Sequence, residues 1–152
     1  MLDRTKPRDL YDVARLPPVA GAFWNTRQFR RLFVAFSGSL DHPLYSYHRQ
    51  RLERVDQAQV DSELAPMLAT GQRPLANDLI EAAWEAMSHL LDIEAAEREF
   101  VDRLQAGELC PGLLFPADEE MAGKVESFPP LLWKVQNAKR HRSSGQSRGR
   151  QR

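Results

Sequence analysis

The chain has 152 residues, 42% apolar and 28% charged, which suits a globular domain large enough to bury a core and excludes a mainly disordered polypeptide. Its 21 basic and 21 acidic residues cancel, but the zero hides an asymmetry: after Glu126 there is no acidic residue and seven Lys or Arg follow, Lys134 to Arg152. No stretch approaches the roughly 20 apolar residues of a membrane span, the start predicts no secretory signal, and the single Cys110 excludes an intramolecular disulfide. A reducing cytoplasm without a membrane partner is the expected setting, with Cys110 a structural thiol.

In chain order, residues 8–16 predict a short helix stopped by Pro17-Pro18. Asp9 and Asp12 lie three apart on one face, while Leu10 and Val13 point the other way. Two readings fit. A carboxylate pair suits a divalent cation, or one base beside one metal ligand. Alternatively, acidic residues after Pro7 are simply a well-charged helix start. Spacing alone favours the second.

After a link over residues 19–21, a second helix is expected from Ala22 to Phe36, with Phe29, Leu32, Phe33 and Phe36 as its core stripe. Arg27, Arg30 and Arg31 fall mostly off that stripe and read as a solvated face. Gly38 is the expected cap, followed by an irregular stretch over residues 40–47. Residues 47–69 are helical in composition, with a break near Asp56 and a disturbance at Pro66. The clearest helix runs from Asn77 or Asp78 to Leu91, N-capped by Asn77. Asp92 is expected to cap the next helix, residues 93–106, ended by Gly107, and the short turn predicts an antiparallel hairpin. A proline-rich apolar loop (108–117), a short acidic helix (118–127) and a last helix beginning near Phe128 complete the body. In that last helix Phe128, Leu131, Leu132, Val135 and Ala138 form the expected buried side, with Trp133 and Lys134 partly off it. No segment alternates at period two, so the fold class is all-α, a helical bundle over residues 1–141. Residues 142–152, rich in Ser, Gly and Arg, predict a disordered basic tail, an electrostatic handle for a polyanion such as RNA.

Phosphate-loop, zinc-protease and nucleophile-elbow motifs are missing from the sequence. His42, His48 and His89 lack metal-ligand spacing.

Two stretches together resemble the AbiEii/AbiGii nucleotidyltransferase toxin family. One is Arg4-Thr-Lys-Pro-Arg-Asp-Leu-Tyr-Asp-Val-Ala-Arg-Leu16, similar to the family's late Arg-Asp-Leu-Tyr-Asp motif. The other comprises Glu99-Phe-Val-Asp-Arg-Leu104, Gly107-Glu-Leu109, Leu113-Leu-Phe115 and Phe128-Pro-Pro-Leu-Leu-Trp-Lys-Val-Gln-Asn137, where Phe128 replaces the family's His. The resemblance covers residues 4–141. It implies the C-terminal helical part of a polymerase-β-like nucleotidyltransferase, a toxin of toxin–antitoxin and abortive-infection systems that transfers a nucleotide from an NTP to an acceptor such as RNA.

The family's Gly-Ser…Asp-x-Asp motif and the lysine-bearing helix before Arg-Asp-Leu-Tyr-Asp have no counterpart here: Ser37-Gly-Ser39 is followed by no Asp-x-Asp. The resemblance therefore implies a truncated portion, inactive alone, with Mg2+ and NTP belonging to the complete enzyme. Asp9 or Asp12 would be its late catalytic aspartate, and Arg8 and Lys6 its substrate-binding cations. Implied partners are the N-terminal half, an antitoxin and RNA. The alternative is a non-catalytic helical module that contacts nucleic acid or a partner protein through its basic C-terminus.

Overall fold

The computed structural model describes residues 2–149, with side chains through His141. The side chains of the basic tail expected over 142–152 lie outside the described residues, as do residues 150–152 altogether. The chain is all helical, and no strand occurs among the described residues. In order, α1 spans Pro7–Ala20, α2 Arg27–Ser37, α3 Gln57–Gln59, α4 Ala76–Leu91, α5 Ala95–Gln105, α6 Glu119–Glu126 and α7 Pro129–Gly149, with 3-10 turns and one π turn between them. Two compact units form: Met1–Phe29 with Tyr45–Asp92, and Arg30–Leu44 with Ile93–Arg152.

In the first unit α1 lies on α4 and on the π turn Val60–Leu64. Its core joins Leu10, Leu52, Val55, Val60, Leu64, Leu79, Ile80 and Ala83, all nearly or fully buried. Leu10, completely enclosed, is the anchor of α1, and such a residue contributes about 2 kcal/mol by burial alone. The helix does not stop at Pro17-Pro18 but carries both prolines to Ala20. A proline deprives only the carbonyl four residues back of its partner, and in the last, solvated turn water can replace that bond. The true stop is Gly21, at φ 56°.

The expected helix over 22–36 is broken at Thr26. Its Oγ1 donates to the Phe23 carbonyl at 2.8 Å and accepts the Phe29 N–H at 3.1 Å, so a 3-10 turn over Gly21–Asn25 ends before α2 begins. The break at Asp56 is a capping box: Asp56 accepts the Gln59 N–H at 2.8 Å, and Gln59 accepts the Asp56 N–H at 3.1 Å. Helix α4 starts one residue before the expected Asn77 cap. The Ala76 N–H at its first turn is satisfied by the Gln57 side-chain carbonyl at 2.9 Å, a tertiary partner nineteen residues away.

In the second unit α5 packs on α7, and α6 on α7 and on the Pro111–Leu113 turn. Phe100, Val101, Leu104, Leu114, Phe115, Val125 and Leu131 are buried. The C-terminal end of α2 turns Val34, Ala35 and Ser37 inward and leaves Phe36 43% exposed, stacked edge-on against Phe128 at 4.8 Å. Of the expected stripe, Phe29, Leu32 and Phe33 are half-buried and Phe36 is exposed, so the fully buried positions of this helix are smaller residues. Small residues explain it: a Cβ on Gly38 would strike the side chains of Leu104 and Leu131, so those leucines lie against bare backbone. The two helices of the hairpin expected over residues 77–106 fall in different units, α4 in the first and α5 in the second.

Candidate functional site

The residues singled out by sequence lie at the start of α1. Lys6 is the N-cap, Pro7 opens the helix, and Asp9 is its third residue. Thr5, at φ 50°, holds a left-handed conformation uncommon outside glycine. Arg4, just before it, reaches Asp9: Arg4 Nη2 donates to Asp9 Oδ1 at 2.6 Å and Nε to Oδ2 at 3.1 Å, a bidentate pair. The Lys6 N–H donates to Asp9 Oδ2 at 3.3 Å, so the same carboxylate closes the helix start. The Arg4 hydrogen bond holds Asp9 below the usual carboxylate range, against the opposing effect of partial burial, with the Lys6 amide adding to the lowering. The Arg4 guanidinium is raised by the same bond.

The other candidates are placed differently. Asp12 stands 61% exposed, and Arg8 Nε approaches its Oδ2 at 3.8 Å, an i,i+4 pair in solvent. Lys6 Nζ donates to Glu63 Oε1 at 3.0 Å, both side chains substantially exposed. The structure thus ties Asp9 to Arg4, Asp12 to Arg8 and Lys6 to Glu63, in separate pairs rather than one converging set. No group of three or more His, Cys, Asp or Glu among the described residues is arranged to hold a metal ion. Asp9 and Asp12 do not by themselves fit a divalent cation, which takes several oxygen ligands, because one carboxylate is already held by a guanidinium and a helix amide. No buried side-chain N or O among the described residues lacks a hydrogen-bond partner, so no orphaned polar group marks a ligand site elsewhere.

Three features escaped the sequence reading. Arg4 is the partner of Asp9, a role that the left-handed Thr5 would not suggest from sequence. In the first unit a shallow groove of about 340 Å³ is lined by Pro17, Pro18, Trp24, Ala86 and His89, and Trp24 Nε1 donates to the Ala86 carbonyl at 3.3 Å. In the second unit Arg30 is no solvated arginine: it grips Glu97 with Nε and Nη2 at 2.8–3.1 Å.

The second resembling stretch divides between packing and surface. Leu131 is fully buried and Lys134 Nζ donates to the Leu40 carbonyl at 2.6 Å, whereas Leu132 and Trp133 are exposed, Trp133 by 65%. Among the described residues no helix is long and apolar enough to cross a membrane. No family model, curated protein or solved structure matches the chain.

Proposed function

We propose that this chain is the helical C-terminal part of an AbiEii-type nucleotidyltransferase, a toxin of the abortive-infection class that acts in the cytoplasm. The observation that carries the reading is the ordered pair of motifs, Arg8-Asp-Leu-Tyr-Asp12 and Phe128-Pro-Pro-Leu-Leu-Trp-Lys134, in an all-helical chain. Its geometry supports a division of labour inside the first motif. Leu10 is spent on the core, while Arg8 and Asp12 are held outward in an exposed pair that contributes little to stability. Residues that a fold does not need are the ones available to a substrate or a second polypeptide.

In this reading Arg8 and Lys6 face the phosphates of an NTP, and Asp12 is the more available of the two aspartates, since Asp9 is occupied by Arg4. Mg2+ and the NTP belong to the complete enzyme, whose Gly-Ser…Asp-x-Asp motif these 152 residues do not carry. An antitoxin and an acceptor RNA are its further partners.

The test is to read the DNA upstream of the Met1 codon and to assay the two products together with labelled NTPs and total RNA. A frame encoding Gly-Ser…Asp-x-Asp, and RNA labelling that needs both polypeptides and is lost in Asp12→Ala, is the expected result. An unrelated upstream gene would sink the reading.

A second reading, a non-catalytic helical module binding nucleic acid or a partner protein through its basic C-terminus, is favoured by one observation: the candidate carboxylates sit in separate ion pairs. RNA binding by the chain with no transfer in any combination would select it.

A further inference from the structure

The second unit leaves an apolar patch uncovered. Trp133 is 65% exposed, Phe36 43% and Leu132 41%. The three belong together. The Leu132 N–H donates to the Phe128 carbonyl at 3.2 Å, one helical turn away on the same side of α7, and the Phe128 ring meets that of Phe36 at 4.8 Å between centroids. At 100° per residue Leu132, Trp133, Gln136 and Lys139, all exposed, fall within about 120° of one another. Large side chains exposed to this extent leave on the order of 300 Å² of apolar surface in water, as much as the largest patch a monomer ordinarily carries and a mark of an interface.

The charges at the two ends of the patch decide what fits it. Glu126 and Lys139 are both exposed, and no ion pair among the described residues holds either. They are opposite in sign and evenly placed: Glu126 is six positions before Leu132, and Lys139 is six positions after Trp133. Along the axis Lys139 stands about 10 Å from the midpoint between Leu132 and Trp133. Phe128 stands about 7 Å from it on the other side, and Glu126, two residues further, lies at most about 7 Å beyond. Lys139 is also partly set in place. An added Cβ on Gly107 would come within 3.1 Å of Lys139 Cγ, so the lysine stem lies against bare backbone and loses less freedom on pairing.

A surface with an apolar centre and opposite charges equidistant from it is complementary to itself. A half-turn about an axis through the midpoint, perpendicular to α7, lays the α7 of a second copy antiparallel on the first. Leu132 and Trp133 then meet their own counterparts, and Glu126 of each copy meets Lys139 of the other, twice by symmetry. A parallel arrangement would set like charges together at both ends. A foreign partner would have to bring the same alternation of charge around an apolar centre, whereas a second copy already carries it.

We propose that the exposed α7 face centred on Leu132 and Trp133 is the interface of an antiparallel homodimer, closed at both ends by Glu126–Lys139 pairs between copies. The two patches with their rims bury roughly 1,000 Å² together, which places the dimer in the weak, concentration-dependent class. The dimer forms whether or not the chain belongs to a nucleotidyltransferase.

The experiment is sedimentation equilibrium of the full chain from about 5 to about 500 µM, the range in which a contact of this size dissociates. A reversible monomer–dimer equilibrium is the expected result. Trp133→Ala should raise the dissociation constant at least about 10-fold. It should keep the parental circular dichroism and melting, because the indole of the single chain stands largely in water. Glu126→Lys and Lys139→Glu should each raise the constant about 5-fold, since each sets like charges together at both ends, and the variant carrying both changes should return close to the parental value. Carbodiimide coupling of unlabelled chain mixed with isotope-labelled chain should give a mixed peptide that joins Glu126 to Lys139.

A chain that stays monomeric throughout that range overturns the proposal, and so does a dimer that Trp133→Ala leaves intact. Single charge variants that weaken the dimer without rescue in the double variant overturn it as well, because the pairing between copies would then be absent. A monomeric chain that loses the binding of RNA or of another protein in Trp133→Ala would give the face a different occupant, with the same consequence.

Discussion

Asp9 and Glu97 occupy the same position in their helices, the third residue after the N-cap, and are used in different ways. Each accepts the N–H of its N-cap residue, from Lys6 at 3.3 Å and from Glu94 at 2.7 Å, and each is gripped by an arginine. The arginine of Asp9 is Arg4, five residues away and 68% exposed; that of Glu97 is Arg30, sixty-seven residues away and 20% exposed. Glu97 itself is 4% exposed. One local signal, an acidic residue in a first helical turn, thus closes a loop in the first unit and ties two distant segments in the second. Long-range burial turns a capping group into a structural charge pair, whose loss leaves a partner stranded in a poorly solvated place.

The comparison is broken most directly by removing the deeper carboxylate. Glu97→Ala should destabilise by about 3 kcal/mol, since Arg30 is then left partly buried without its counter-charge. Urea unfolding followed by circular dichroism measures it. The double variant Arg30→Met with Glu97→Leu should recover most of that loss, because the desolvated charges vanish together. A double variant no better than the single would show the pair itself to be indispensable.

Asp9→Ala should cost less, about 1 kcal/mol, the usual value of a helix-start hydrogen bond, because Arg4 returns to water when its partner is gone. If Asp9→Ala matched Glu97→Ala, the contrast between local and long-range pairing would be wrong.

Acid offers a third way in. Asp9 is held low by Arg4, and Asp61 is lowered to about 2 by hydrogen bonds from Arg73 and Gln57. The folded chain therefore keeps these groups ionised where the unfolded chain protonates them. The contribution of Asp61 is complete above the unfolded value near 3.8 and disappears as pH falls toward 2, and that of Asp9 is lost in the same direction. Urea midpoints measured from pH 6 down to pH 2.5 should fall, and Asp9→Asn with Asp61→Asn should flatten that limb while leaving the neutral-pH slope unchanged.

The smallest effect is expected at Asp12. Asp12→Ala, which removes an exposed pair at 3.8 Å, should change stability by no more than about 0.5 kcal/mol. Its consequence should appear in the two-polypeptide labelling assay, which separates a residue kept for substrate from one kept for folding.

Much of the architecture was readable along the chain. Helical periodicity, the Asp56 break, the apolar side of α4 and the short acidic helix expected over 118–127, found as Glu119–Glu126, all follow from patterns a few residues long. What misled was equally local. Pro17-Pro18 looks like a stop until one notes that a last helical turn has few bonds left to lose. Thr26 looks like any helix residue until its hydroxyl binds the backbone on both sides. For the candidate site, the sequence identified Asp9 as a helix-start acid but not its partner, because nothing in Arg4-Thr5-Lys6 announces the left-handed turn that returns Arg4 to it.

By itself, then, the sequence determined the helices, their polar and apolar sides, the positive charge gathered after Glu126 and the two motif-bearing stretches, since each depends on spacing within a few turns or on composition. Tertiary structure alone decided that Arg30 meets Glu97, that Gln57 closes the first turn of α4, that Phe36 stays partly exposed against Phe128 while Gly38 meets Leu104 and Leu131, and that Trp133 stays exposed. The reason is that burial belongs to a meeting of surfaces. A side chain's spacing states which face it is on, and only the element packed against that face settles whether water is excluded from it.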